Sequence, residues 1–199
     1  MESAAALIPL WIKVAYTVIV LITVAVYIFK YPLGNFLWFS DIALLVTTAA
    51  LWLESPLLAS MMVVGTLLPE MLWNVGFFGQ LLTGRSVSGL TDYMFDAALP
   101  RYLRALSLFH VVLPVLGLWL VARLGYDPQA LTAQTALAWV VLPLSYWLTD
   151  PKENVNWVFG WGAKPQQRIP SLLYLALLMA GFPVLIHFPT HLVLQSLFG

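Results

Sequence analysis

Six apolar stretches, at roughly residues 7–29, 36–53, 57–83, 102–125, 130–149 and 170–198, occupy most of this 199-residue chain. A helix needs about 20 mostly apolar residues to cross the hydrocarbon of a bilayer. At that depth every backbone polar group has to be satisfied inside the segment, which favours helices over any open sheet. The predicted fold class is therefore all-α: a polytopic integral membrane protein, a six-helix transmembrane bundle forming one domain over 1–199. Apolar residues at 61% and charged ones at 9% agree with the bilayer as solvent. Pro32 with Gly34, Glu54 to Pro56, Gly125 to Pro128, and Asp150 to Pro170 supply the breaks. Pro69 in the third stretch and Pro183 with Pro189 in the sixth predict kinks there, since each proline removes a helical hydrogen bond.

Lysine and arginine set the expected orientation. The loops after spans one, three and five hold Lys30, Arg85, Arg101, Lys152, Lys164 and Arg168, against Lys13 and Arg123 on the other face. The positive-inside rule then puts loops 84–101 and 150–169 in the cytoplasm and both termini on the non-cytoplasmic side. Met1 to Ala6 has neither the basic region nor the cleavage site of a signal peptide, so the first helix is expected to stay in the mature protein. Nine residues of each sign leave no basic footprint, which sets nucleic acid aside as a partner. The absence of cysteine excludes disulfides, thiolate metal sites and a cysteine nucleophile. No phosphate-binding loop, dinucleotide fingerprint, His-Glu-x-x-His or nucleophile elbow occurs, so no cofactor is assigned.

The polar residues inside the spans are the informative ones. A charged side chain at membrane depth costs a few kcal/mol and implies a protein-lined interior. Counting helical rise from the cytoplasmic end, Asp41 lies roughly 8 Å and His110 roughly 12 Å deep. Glu70 and Asn74 are one turn apart on one face of the same half. Tyr146 and Asp150 close span five there, and Ser107 stands within a turn of His110. The loops bring Asp92 and Asp96, one turn apart if helical, and Asn154 and Asn156, which read as turn formers beside Trp157 and Trp161. Both loops are expected to cover one mouth.

Asp41, Glu70 and His110 are the candidate acid/base groups. Asn74, Ser107, Asp92, Asp96, Tyr146, Asp150 and Asn154 are the candidate binding residues. If Asp92 and Asp96 turned inward, the oxygens would suit a divalent cation instead. The bland alternative for each is an interhelical bond, a cap or an interface anchor.

A Ser and a His on one span, here Ser107 and His110, with His187 and His191 four apart on the last, resemble a pattern of the alkaline ceramidases and progestin/adiponectin receptors. The resemblance implies zinc-assisted amide hydrolysis with those four residues near the metal. Its aspartate three turns past the histidine is missing, because position 121 is Val, and six spans stand in place of seven. Depth counting puts His187 roughly 25 Å from the cytoplasmic end, so His187 and His191 are expected near the outer face, apart from His110.

Three functions follow from this pattern. The leading one is a membrane-embedded enzyme acting on a lipid or lipophilic substrate by acid/base chemistry. The second is a non-catalytic subunit or lipid-binding scaffold, in which polar residues lock helices together and the partners are membrane lipids and other membrane subunits. The third is a proton-coupled transporter, since broken spans with carboxylates also serve ion paths.

Overall fold

The computed structural model describes residues 7–87, 89–161 and 165–199. Met1 to Ala6 and Lys164, which entered the leader and orientation readings, lie outside them. The chain is helical throughout its described elements: α1 (Leu10–Lys30), α2 (Phe39–Leu53), α3 (Pro56–Thr83), α4 (Arg101–Leu106), α5 (Phe109–Leu124), α6 (Ala130–Leu148), α7 (Ser171–Phe182) and α8 (Phe188–Phe198). Five of the helical runs are long and apolar enough to cross a membrane, with α4–α5 and α7–α8 each counting as one run. Helix α2 is the sixth apolar helix and the short one, at 15 residues or about 22 Å of rise. The molecule is thus a multi-pass all-α membrane bundle, with α3 at its centre packed against α2, α5, α6 and α8.

Two spans differ from their predicted boundaries. Span two does not begin at 36, because Leu33–Leu37 winds as a 3-10 turn and α2 starts at Phe39. Asn156 holds that start: its Oδ1 accepts from Phe39 N at 3.1 Å and its Nδ2 donates to the Leu37 carbonyl at 2.7 Å. A side chain from a distant loop thereby satisfies donors and acceptors that an extra helical turn would have used. Span four, expected to run unbroken over 102–125, is interrupted at Ser107 and Leu108. There the backbone takes tight bonds, His110 N to the Ser107 carbonyl at 3.2 Å and Val111 N to the Leu108 carbonyl at 3.0 Å.

The prolines act through the carbonyls they strand. Pro69 sits inside α3, which continues through it, and the sixth span passes through a π turn at Pro183–His187. Pro114, within α5, has no N–H to offer the His110 carbonyl four residues back. Asn74 of α3 supplies the missing donor at 2.8 Å and also bonds its own Glu70 carbonyl at 2.8 Å. Pro183 likewise strands the Met179 carbonyl, and the Trp139 indole of α6 donates to it at 2.8 Å. Both helix pairs are therefore joined at a proline, where an unmet carbonyl in hydrocarbon would cost several kcal/mol.

At the end away from the long loops, Glu54 ends α2 in the left-handed conformation, φ 48°. Its carboxylate takes Lys13 Nζ at 2.8 Å and the Leu7 and Ile8 amides at 3.0 and 3.1 Å. The lysine first, then the two amides, hold its pKa at about 2, below the usual 4.5. A depressed acid contributes stability that is complete above its unfolded pKa and is lost as pH falls through the folded one. The expected result is that detergent-solubilised protein loses thermal stability between about pH 4.5 and 2, and that Glu54→Gln flattens this acid limb. An unchanged limb in the variant removes Glu54 as its source.

Candidate functional site

At the opposite end, where loops 31–38, 84–100 and 149–170 meet the helices, lies a cavity of about 450 Å³. That volume is in the range of small-molecule sites, about 300–1,000 Å³. The second cavity found among the described residues holds about 10 Å³, too little for a ligand.

Glu70 and His110 form the polar centre. Glu70 faces inward from the middle of α3 and is 2% exposed. Its Oε2 lies 2.8 Å from His110 Nδ1. The break after α4 sets His110 in the first turn of α5, against Glu70, and the Asn74 bridge keeps it there. The imidazole stacks on Trp73, centroids 4.7 Å apart, and on Phe109 at 4.2 Å. With Glu70 accepting, the ring proton sits on Nδ1 and Nε2 carries the free lone pair. Nε2 has no partner among the described residues and is reachable from the cavity.

Asp41, in the first turn of α2, lines the same cavity and is 4% exposed. Asn35 donates to its Oδ2 at 3.3 Å, while Oδ1 is buried with no hydrogen-bond partner. Ser107 lines the wall beside the Tyr27 and Tyr93 phenols. Tyr93 takes the Trp73 indole N–H at 3.2 Å, and burial pushes its phenol up from the ordinary value. Trp157, at φ 57°, closes the wall in a left-handed conformation that costs a bulky residue about 1–2 kcal/mol.

The residues read from the sequence divide as follows. Asp41, Glu70, Ser107 and His110 come together at the cavity. Asn74 stands just behind it as the bridge between α3 and α5. Asp92 and Asp96 do not line it: only Asp92–Met94 is helical, both carboxylates are exposed, and Asp96 caps Ala98 N at 2.8 Å. Tyr93, between them, lines the cavity, and Met94 is buried. Asp150 is exposed and bonds Lys152 N at 2.8 Å, and Tyr146 stacks on Phe159 at 5.1 Å. Asn154 folds its own loop, bonding the Gly160 carbonyl and Phe159 N.

Asn156, read from the sequence only as a turn former, lines the cavity and ties its loop to α2 and to Ser145 of α6, and sequence reasoning missed Tyr27, Tyr31 and Asn35. Tyr27 and Tyr31 do lie one turn apart at the end of α1, a pairing the sequence carries.

The three histidines keep separate company. His187 is buried against Thr135, Nδ1 to Oγ1 3.2 Å, and His191 meets the Tyr126 hydroxyl at 2.6 Å. Among the described residues no group of three or more His, Cys, Asp or Glu side chains is placed to hold a metal ion. Comparison with protein families, with curated proteins and with solved structures gives no match for this chain.

Proposed function

We propose that this protein is a membrane-embedded enzyme that acts on a lipophilic substrate by acid/base chemistry. The supporting observation is the His110 to Glu70 contact of 2.8 Å, with Nε2 left open to a 450 Å³ cavity. An imidazole oriented by a carboxylate can take a proton from a substrate group and return it, the carboxylate stabilising the imidazolium between the two steps. The aromatic walls exclude water and suit an apolar chain. Asp41 is the second proton-handling group, and Ser107, Tyr93 and Asn35 are hydrogen-bonding groups for the polar end of the substrate.

The test is incubation of purified protein with lipid extracted from its expression host, read by mass spectrometry. A lipid species consumed with a matching product, lost in His110→Gln, is expected. No change against a heat-inactivated control overturns the enzyme reading.

The excess of Lys and Arg on the cavity's side argues that its mouth faces the cytoplasm. Because the chain has no native cysteine, single cysteines at Thr83 or Asp150 report sidedness directly. Labelling of either by an impermeant reagent from outside intact cells reverses the orientation.

A further inference from the structure

The cavity has a marked chemical bias that the proton chemistry does not by itself require. Two carboxyl groups, Asp41 and Glu70, line it, and among the described residues no lysine or arginine does. Arg104, one turn before Ser107, does not line it, and its guanidinium donates to the Met94 carbonyl at 3.0 Å. A phosphate, sulfate or carboxylate head would therefore meet like charge from these two groups. The two carboxyls also differ. Glu70 is engaged by His110, whereas Asp41 is held by one 3.3 Å bond from Asn35, and its Oδ1 is buried without a donor. A buried acceptor of this kind, on a side chain that lines a cavity, lacks one hydrogen-bond donor. The rings of Tyr27, Trp38 and Trp157 line the same cavity, and aromatic faces attract cations.

We propose that the cavity takes the protonated amine head of an amphiphile, with Asp41 Oδ1 accepting the ammonium N–H and the aromatic walls enclosing the head and upper chain. This rests on the cavity being the substrate site of the acid/base reading and narrows that substrate to an amine-bearing lipophile. A charge-assisted bond to a desolvated carboxylate is roughly twice as strong as a neutral one, which gives the amine its advantage over an alcohol of the same chain.

Binding of four probes with the same chain, dodecylammonium, dodecanol, dodecyltrimethylammonium and dodecyl phosphate, to wild-type protein in maltoside micelles decides the matter, read by titration calorimetry. Dodecylammonium is expected to bind at least about tenfold more tightly than dodecanol, and dodecyl phosphate not at all. Asp41→Asn, with unchanged thermal stability, is expected to remove that preference while keeping the weak binding of the alcohol. Equal binding of amine and alcohol by wild-type protein overturns the amine assignment and leaves the acid/base reading standing. Equal binding of the trimethylammonium probe, which has no N–H, overturns the role of Asp41 Oδ1. Absence of binding by all four overturns both the amine assignment and the cavity as a substrate site. If Asp41→Asn does not fold, the wild-type comparison of the four probes still decides.

Discussion

Glu70→Ala is expected to cost about 3–5 kcal/mol of folding stability, because it leaves a buried partner uncompensated. Glu70 is buried at the centre of α3, and its loss leaves the His110 ring nitrogen without its 2.8 Å partner. Glu70→Gln keeps a hydrogen-bonding group of the same shape and should cost less than half as much. Unfolding from mixed micelles by added sodium dodecyl sulfate, followed by tryptophan fluorescence, measures both. A Glu70→Ala protein within about 1 kcal/mol of wild type would mean that the pair is not formed in the folded protein.

The same pair separates a catalyst from a scaffold. A buried ion pair replaced on both sides by apolar residues is often neutral or stabilising, because neither charge is then left desolvated and alone. Glu70→Leu with His110→Leu should therefore fold nearly as well as wild type. On the enzymatic reading this double variant is stable and inactive. On the scaffold reading it is stable and fully competent, whatever competence proves to be. Combining stability with turnover thus distinguishes two readings that one substitution would confound.

What could be read from the sequence followed from helical periodicity and from the cost of charge in hydrocarbon. Glu70 stood out because its surroundings are apolar over several turns, and Asn74 because one turn of α3 puts it on the same face. Asp41 and His110 followed from depth counting, which works while a helix is continuous. Depth counting cannot detect the break at Ser107, which turns His110 toward Glu70, nor the loop geometry that carries Asn156 back to α2. Asp92 and Asp96 take the alternative of a solvated loop face and a cap, because their pairing toward the cavity required a helix where the chain makes a single 3-10 turn. Aromatic residues at span ends were uninformative because interface anchors and cavity walls share one composition. Tyr27, Trp38 and Trp157 emerge as wall residues only from the fold.

Asn74→Leu is expected to cost about 1–3 kcal/mol, and the reason lies in Pro114 rather than in Asn74 alone. Because Pro114 cannot donate, the His110 carbonyl depends on the Asn74 amide at 2.8 Å, and Leu leaves that carbonyl buried and unmet. Pro114→Ala returns an N–H at the position from which an α-helix would satisfy the same carbonyl. The two substitutions should therefore be coupled, with Asn74→Leu milder in the Pro114→Ala background than alone. Cycles of this kind between transmembrane helices give about 0.6 kcal/mol on average and up to about 1.7; a bond that covers a proline-stranded acceptor belongs at the upper end. Additivity within about 0.3 kcal/mol would show that Asn74 is not the carbonyl's essential donor. Function supplies the second readout. The Asn74 amide joins the turn of α3 bearing Glu70 to the turn of α5 bearing His110. Losing it lets the imidazole drift from the carboxylate, and misplacement on the order of 1 Å can cost about a hundredfold in rate. Asn74→Leu should consequently lose far more turnover than stability, and Pro114→Ala should restore the stability without restoring the turnover, since it satisfies the carbonyl but does not rejoin the two helices.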